Sequence, residues 1–353
     1  MKEQIKKDLI ILFEHWSKEK VVNISPLSKL VSASYREYYR ITGKSRKAIG
    51  VFNADKKENI AFLSFTKHFI KKGICVPQIY AEALKKNIYL VQDFGDTTFF
   101  SYLTKARKDK DFSYELVNVY KKIIEELPQF QIFAGKDIDY SVCYPRSRFD
   151  KQSMMWDLNY FKYYFLKLAK IPFDEQELED DFSVFSDYLL QADCNFFMYR
   201  DFQSRNIMIY NNMPYFIDYQ GGRKGALQYD LASLLFDAKA DIAQNVREQL
   251  LKHYIKVVDK IIDINKNDFI QYFYAYGLIR IMQALGAFGF RGLYEKKQHF
   301  IQSIPYAIKS IKLILNKKPV NVKIPALLNV LQQLTKSKYS KFTENDKIRK
   351  LET

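Results

Sequence analysis

The stretch YRDFQSRNIMIYNNMPYFIDYQGG, residues 199–222, sets Asp201, Asn206 and Asp218 among apolar neighbours, although each is costly to bury without a partner. Ile207-Met208-Ile209 and Tyr215-Phe216-Ile217 read as short strands joined by a turn over 210–214, with Phe196-Phe197-Met198 as another strand ahead of them. A hairpin of this length carries Asp218, at a strand end, beside the amide of Asn206, with Asp201 a little further out. Two oxygen donors and a nearby carboxylate suit a hard cation such as Mg2+, which keeps several waters and takes phosphate oxygens in its remaining positions. The third carboxylate is then left for base or orienting work on a hydroxyl.

Around this stretch, 353 residues with 48% hydrophobic and 16% aromatic content are enough for two lobes with substantial cores. Cys75, Cys143 and Cys194 lie far apart without CxxC spacing, so neither a zinc site nor a disulfide framework is expected. The net charge of +16 comes from lysines scattered among Asp and Glu rather than from an Arg-rich block. That pattern predicts a solvated surface and no nucleic-acid partner. The apolar run Leu9–Phe13 is too short for a secretory segment, and no run reaches the roughly 18–20 residues of a membrane span. A cytoplasmic protein without membrane contact is the expectation.

The chain divides by pattern into an α+β arrangement. Residues 3–19 carry Ile5, Leu9, Phe13 and Trp16 at helical spacing. Segments 27–31, 35–42, 47–53 and 87–93 read as strands of a small antiparallel sheet, with a helix over 57–72 ended by Gly73 and Pro77. Beyond Thr97 helical patterns dominate, at 114–127, 150–169, 175–191, 228–238, 243–262, 267–285 and 297–315. The expected division is a lobe at 1–95, a helical lobe at 96–335 and a charged tail at 336–353, where nine of eighteen residues are charged. His15, His68, His253 and His299 have no partner at ligand spacing and read as surface or packing residues. GAFGFRG, 286–292, reads as a helix end and not as a nucleotide cradle.

YRDFQSRN followed by FIDYQ resembles the catalytic loop and metal-binding aspartate of the protein-kinase-like fold, in the branch of aminoglycoside phosphotransferases and choline kinases. The resemblance implies a two-lobed ATP- and Mg2+-dependent phosphotransferase, with Asp201 as catalytic base and Asn206 and Asp218 as metal ligands. Asp230, in YDLASLL, is similar to the aspartate that ties the catalytic loop down. NIYLVQDFGDTTFFSYL resembles the lobe connector, implying nucleotide contacts at Gln92, Asp93 and Phe94 through their backbone. The phosphate-covering loop would then be 30–35, where Ser32 and Ser34 offer hydroxyl and N–H groups in place of glycines. SYREYYR, DLNYFKYYFL and the segment 279–308, with Arg280, Gly286 and Phe288, resemble more narrowly the kinases that phosphorylate N-acetylmuramate and N-acetylglucosamine at the anomeric hydroxyl. Arg205, beside Asn206, is a candidate for steadying the transferred phosphoryl group. Gln203, Gln220 and Arg280 are candidates for holding a sugar substrate.

Two departures stand out. The loop histidine is replaced by Tyr199, and the third strand, KAIGVF, has no lysine at the inward position where kinases keep a phosphate-contacting one. Lys56, Lys57 and Arg46 are the candidate replacements. Aminoglycoside, choline or ethanolamine kinase activity, or a non-catalytic nucleotide-binding module, stays open. A peptide substrate is disfavoured, because only eleven residues separate Asp218 from Asp230 and leave no room for an activation loop.

Overall fold

The computed structural model describes residues 2–27, 36–107, 112–317 and 320–341. Ser32, Ser34 and the tail from 342 onward lie outside the described residues.

Period-two alternation lets one sheet bury both faces in the first lobe. Tyr39 and Ile41 of β2 (Glu37–Thr42), Ala48 of β3 (Lys47–Phe52) and Ile88 and Leu90 of β5 (Ile88–Val91) share a core with Ile5, Leu9 and Phe13 of α1 (Lys2–Ser17). The opposite-facing Val51, Tyr89 and Val91 join Ala61, Phe62 and Phe65 of α2 (Lys56–Lys71). Gly50 permits the first packing, because a side chain there would come within 2.9 Å of Leu9. Asp55 caps α2 by accepting from the N–H groups of Lys57 (2.9 Å) and Glu58 (3.2 Å). Gly73, at φ +75°, ends it as expected.

With β1 (Asn23–Pro26) and β4 (Ile79–Ala83), the sheet order is β1-β2-β3-β5-β4, antiparallel throughout. It has five strands where the sequence pattern suggested four. β1 falls just before the strand expected at 27–31, most of which is outside the described residues. β4 went unforeseen because an edge strand of half-buried residues, IYAEA, has no clean apolar alternation.

The second lobe contains α3 (Phe99–Ala106), α4 (Tyr114–Pro128), α5 (Lys151–Phe161) running through a wide turn into α6 (Lys167–Ala169), and α7 (Glu175–Leu189). After the strand insert come α8 (Leu227–Leu235), α9 (Gln244–Val258), α10 (Lys266–Phe288), α11 (Gln298–Ile301), α12 (Ile304–Lys317) and α13 (Pro325–Lys336). The single helix expected at 297–315 is broken into α11 and α12 around Gln302 and Ser303. α10 is the apolar axis of the lobe and packs against α5, α8 and α12. Gly286 serves this contact, since a Cβ there would lie 3.0 Å from the Phe161 nitrogen. Order continues past 336: a turn at Lys338–Ser340 sets Tyr339 against Phe165.

The insert that carries the polar trio is two small antiparallel pairs. β6 (Phe196–Met198) pairs with β9 (Arg223–Gly225), and β7 (Ile207–Tyr210) with β8 (Met213–Phe216). Asn211 and Asn212, at φ 51° and 60°, form a two-residue turn of the type I′ pattern that matches strand twist. The resulting register, Ile207 opposite Phe216, sets Asn206 beside the residues just after β8.

Candidate active site

Asp201, Asn206 and Asp218 converge as the hairpin register requires. The Asn206 side-chain amide donates to the backbone carbonyl of Asp201 (2.9 Å) and to Oδ2 of Asp218 (3.3 Å). Its nitrogen is thereby committed, which leaves the amide oxygen as a potential ligand. Asp218 sits at φ 71°, an uncommon conformation for a non-glycine residue. Its Oδ1 accepts from Gln220 (2.9 Å) and Arg36 (3.2 Å). Burial raises the Asp218 carboxyl above its ordinary value, Arg36 draws it back, and Asp201 pushes it up again. Arg280 on α10 brings its guanidinium to 3.7 Å from Asp201 while bonding Ser233 and Gln283.

Among the described residues no three His, Cys, Asp or Glu side chains gather to hold a metal. Asn206 and Asp218 nevertheless fit Mg2+, because that ion takes few protein oxygens and keeps water and phosphate for the rest. A crowded carboxylate with a raised pKa is one that a cation would relieve.

Behind the trio lies a buried brace. Asp230, fully buried, accepts from the backbone N–H groups of Tyr199 (2.8 Å) and Arg200 (2.9 Å) and from Gln131 (3.0 Å). Burial pushes its carboxyl up to about 7 against the pull of those donors. The tie holds Arg200 at φ 81°, and the Arg200 guanidinium bonds Asp157 (2.7 Å) and the Tyr229 hydroxyl (2.6 Å). Tyr199, boxed by Phe130, Phe202 and Tyr219, donates its hydroxyl to the Ile217 carbonyl at 2.5 Å, directly before Asp218. One hydrogen bond and a filled volume thus do the bracing at the position of the missing histidine. Tyr219 extends the brace across the lobes by stacking on Phe62 (5.3 Å) and bonding Thr66 (2.6 Å), both on α2.

No protein-family model matches the chain. It is 22% identical to the N-acetylmuramate/N-acetylglucosamine kinase of Neisseria meningitidis over 84% of this chain and 87% of that one. The protein of the same name from Pseudomonas aeruginosa is 21% identical over 92% and 93%. Among solved structures, a choline kinase from Cryptosporidium parvum aligns with a TM-score of 0.59 at 10% identity, over 94% of this chain and all 100% of that one. An ADP-bound aminoglycoside phosphotransferase aligns at 0.54 and 12%, over 95% and 97%. The fold is kinase-like.

In a kinase-like frame the remaining candidates separate. Phe94 of the connector is buried and packs on Tyr215 (centroids 4.3 Å apart). The Gln92 N–H is taken by the Gln78 carbonyl (2.9 Å). The Asp93 carboxylate is buried and clamps Arg40 of β2 at 2.8 and 3.0 Å. The backbone groups of Asp93 and Phe94 bond to no backbone of the described residues. Arg205 lies over the Phe100 ring at 3.9 Å. Gln203 contributes its backbone carbonyl to the Asn206 N–H (2.9 Å).

Several residues were passed over by the sequence reading. Asp237 accepts from the backbone and hydroxyl of Ser204 and so shapes the loop that carries Asp201 and Asn206. Asp157 anchors Arg200. Arg36 and its partner Glu58, 2.6 Å apart, stand at Asp218. Arg36 belongs to SYREYYR, a segment already conspicuous, yet its partners are 22 and 182 residues away and no local pattern points to them.

Proposed function

We propose that the protein is an ATP-dependent phosphotransferase that phosphorylates a hydroxyl of an amino sugar, N-acetylmuramate or N-acetylglucosamine, at C1. The observation that carries the reading is the convergence of Asp201, Asn206 and Asp218 through one amide. The Asp201 carboxylate, about two-fifths exposed, is open to accept the proton of an acceptor hydroxyl as that oxygen attacks phosphorus. Arg280, its guanidinium 3.7 Å from the carboxylate, stands where it would help to orient it. Asn206 and Asp218 would hold magnesium, which when bound supplies neutralisation of phosphate charge. The rate then comes chiefly from positioning, and the Asp230–Tyr199–Arg200 brace is what keeps the loop in place.

For the acceptor, the support is the similarity to two amino-sugar kinases along most of the chain and the charge around Asp201. Arg280 stands 3.7 Å from Asp201, and Arg200 pairs with Asp157. An arginine beside the candidate base suits an acceptor that carries a carboxylate, as a muramate does, better than cationic choline or an aminoglycoside, which call for acidic or aromatic cages. Gln220, a candidate for holding the sugar, is turned to Asp218, to which its amide donates at 2.9 Å, and its Oε1 is buried.

The test is transfer of labelled phosphate from ATP across N-acetylated sugars, aminoglycosides and choline, with the phosphorylated carbon located by NMR. Transfer to C1 of an N-acetyl sugar, lost on chelation of divalent cations and in Asp201→Asn, is the expected result. Transfer to choline or an aminoglycoside alone would overturn the acceptor assignment. Nucleotide binding without any transfer would leave a binding module.

A further inference from the structure

The third strand has no inward lysine: β3 reads KAIGVF, and its Lys47 is exposed at the strand start. The replacements suggested by sequence point elsewhere. Arg46 lies over Trp16, on the α1 face (5.4 Å), Lys57 over Tyr144 (5.5 Å), and Lys56 is exposed. Arg40 is held by Asp93 and Asp96. Among the described residues the cation in ion-pair contact with Asp218 is Arg36, just ahead of β2. Its side chain is only 3% exposed. Its two terminal nitrogens divide the work, one 2.6 Å from Glu58 of α2 and the other 3.2 Å from Asp218. Glu58 is fixed in turn by Asn53 (3.0 Å).

Resting on the kinase reading above, we propose that Arg36 is the phosphate-contacting cation of this enzyme, moved from the third strand to the entry of the second. Among the described residues one guanidinium faces two carboxylates there. With a divalent cation held by Asp218, the polyphosphate of a nucleotide would offer the guanidinium a further acceptor. The Nη1 group that bonds Asp218 exchanges that partner for a phosphate oxygen, while Glu58 keeps hold of Nη2. The planar fork of an arginine allows this division, since it presents several donors in fixed directions. A lysine anchored by Glu58 has to serve both partners with one ammonium.

Equilibrium binding of Mg-ATP and of adenosine to the wild type, Arg36→Lys, Arg36→Met and Glu58→Gln separates the roles, with circular dichroism confirming folding. Charge-assisted contacts of this kind predict at least about a tenfold loss of Mg-ATP affinity in Arg36→Met and a smaller loss in Arg36→Lys. Adenosine, which carries no phosphate, should bind all folded variants equally. Glu58→Gln, with the guanidinium less firmly placed, should weaken Mg-ATP several-fold and spare adenosine. If Arg36→Met does not fold, Arg36→Lys and Glu58→Gln decide. Equal loss of both ligands, or unchanged Mg-ATP affinity in the folded variants, would overturn the assignment. A wild type that binds Mg-ATP and adenosine with these differences absent refutes Arg36 alone; a wild type that binds neither ligand refutes the kinase reading beneath it.

Discussion

Around the polar trio, Asn206 and Asp218 are held from behind, by the brace through Asp230, Tyr199 and Ile217. At the connector, the side chains of Asp93 and Phe94 are engaged within the protein, one with Arg40 and the other with Tyr215, while their backbone groups stay open. Chemistry on a phosphate needs ionisable groups, whereas the edge of a flat base can be read by N–H and C=O groups that any residue carries. Substitution at the first end should therefore remove activity and leave stability, and substitution at the second should do the reverse.

The strongest break of that contrast is Asp201→Asn. It should lower kcat by about a thousandfold, within the range of general-base contributions, with the melting temperature unchanged. A loss smaller than about tenfold in steady-state turnover would remove Asp201 from the reaction. Asp93→Ala should act the other way, costing about 2 kcal/mol in urea unfolding, because Arg40 loses its buried partner and keeps the exposed Asp96. Turnover per folded molecule should stay near wild type, and a large fall in kcat would mean the side chain serves the nucleotide directly. Tyr199→Phe sharpens the picture of the brace. Losing the bond to the Ile217 carbonyl should cost about 1 kcal/mol and lower kcat modestly, measured side by side on one preparation. The smallest effect belongs to Asn212→Gly in the hairpin turn, where a left-handed backbone already suits glycine; unfolding should shift by less than about 0.5 kcal/mol.

The same contrast explains what sequence reading could and could not reach. The trio was legible because the chemistry depends on residue type, and Asp-x4-Asn followed by a strand-end Asp fixes its own geometry through a short hairpin. The amphipathic helices were legible because burial leaves a period, and the leading helix through Ile5, Leu9 and Phe13 is an example. β4 was not, since its side chains are partly exposed along its length. α13 was passed over although its buried Leu327, Val330, Leu331 and Leu334 keep a helical period. Arg205 had a plausible neighbour in sequence, but its guanidinium lies over the ring of Phe100. Arg36 shows the limit most clearly, because its meaning lies in two carboxylates remote along the chain.

The Tyr219 contact with Phe62 and Thr66 has a mechanical consequence. A helix of the upper lobe and the turn that carries Asp218 are pinned as one rigid block by a stacked ring and a buried hydroxyl pair. Any clamping of this molecule around a bound nucleotide must then bend the outer strands about that block, with α2 standing still relative to the carboxylate it overlooks.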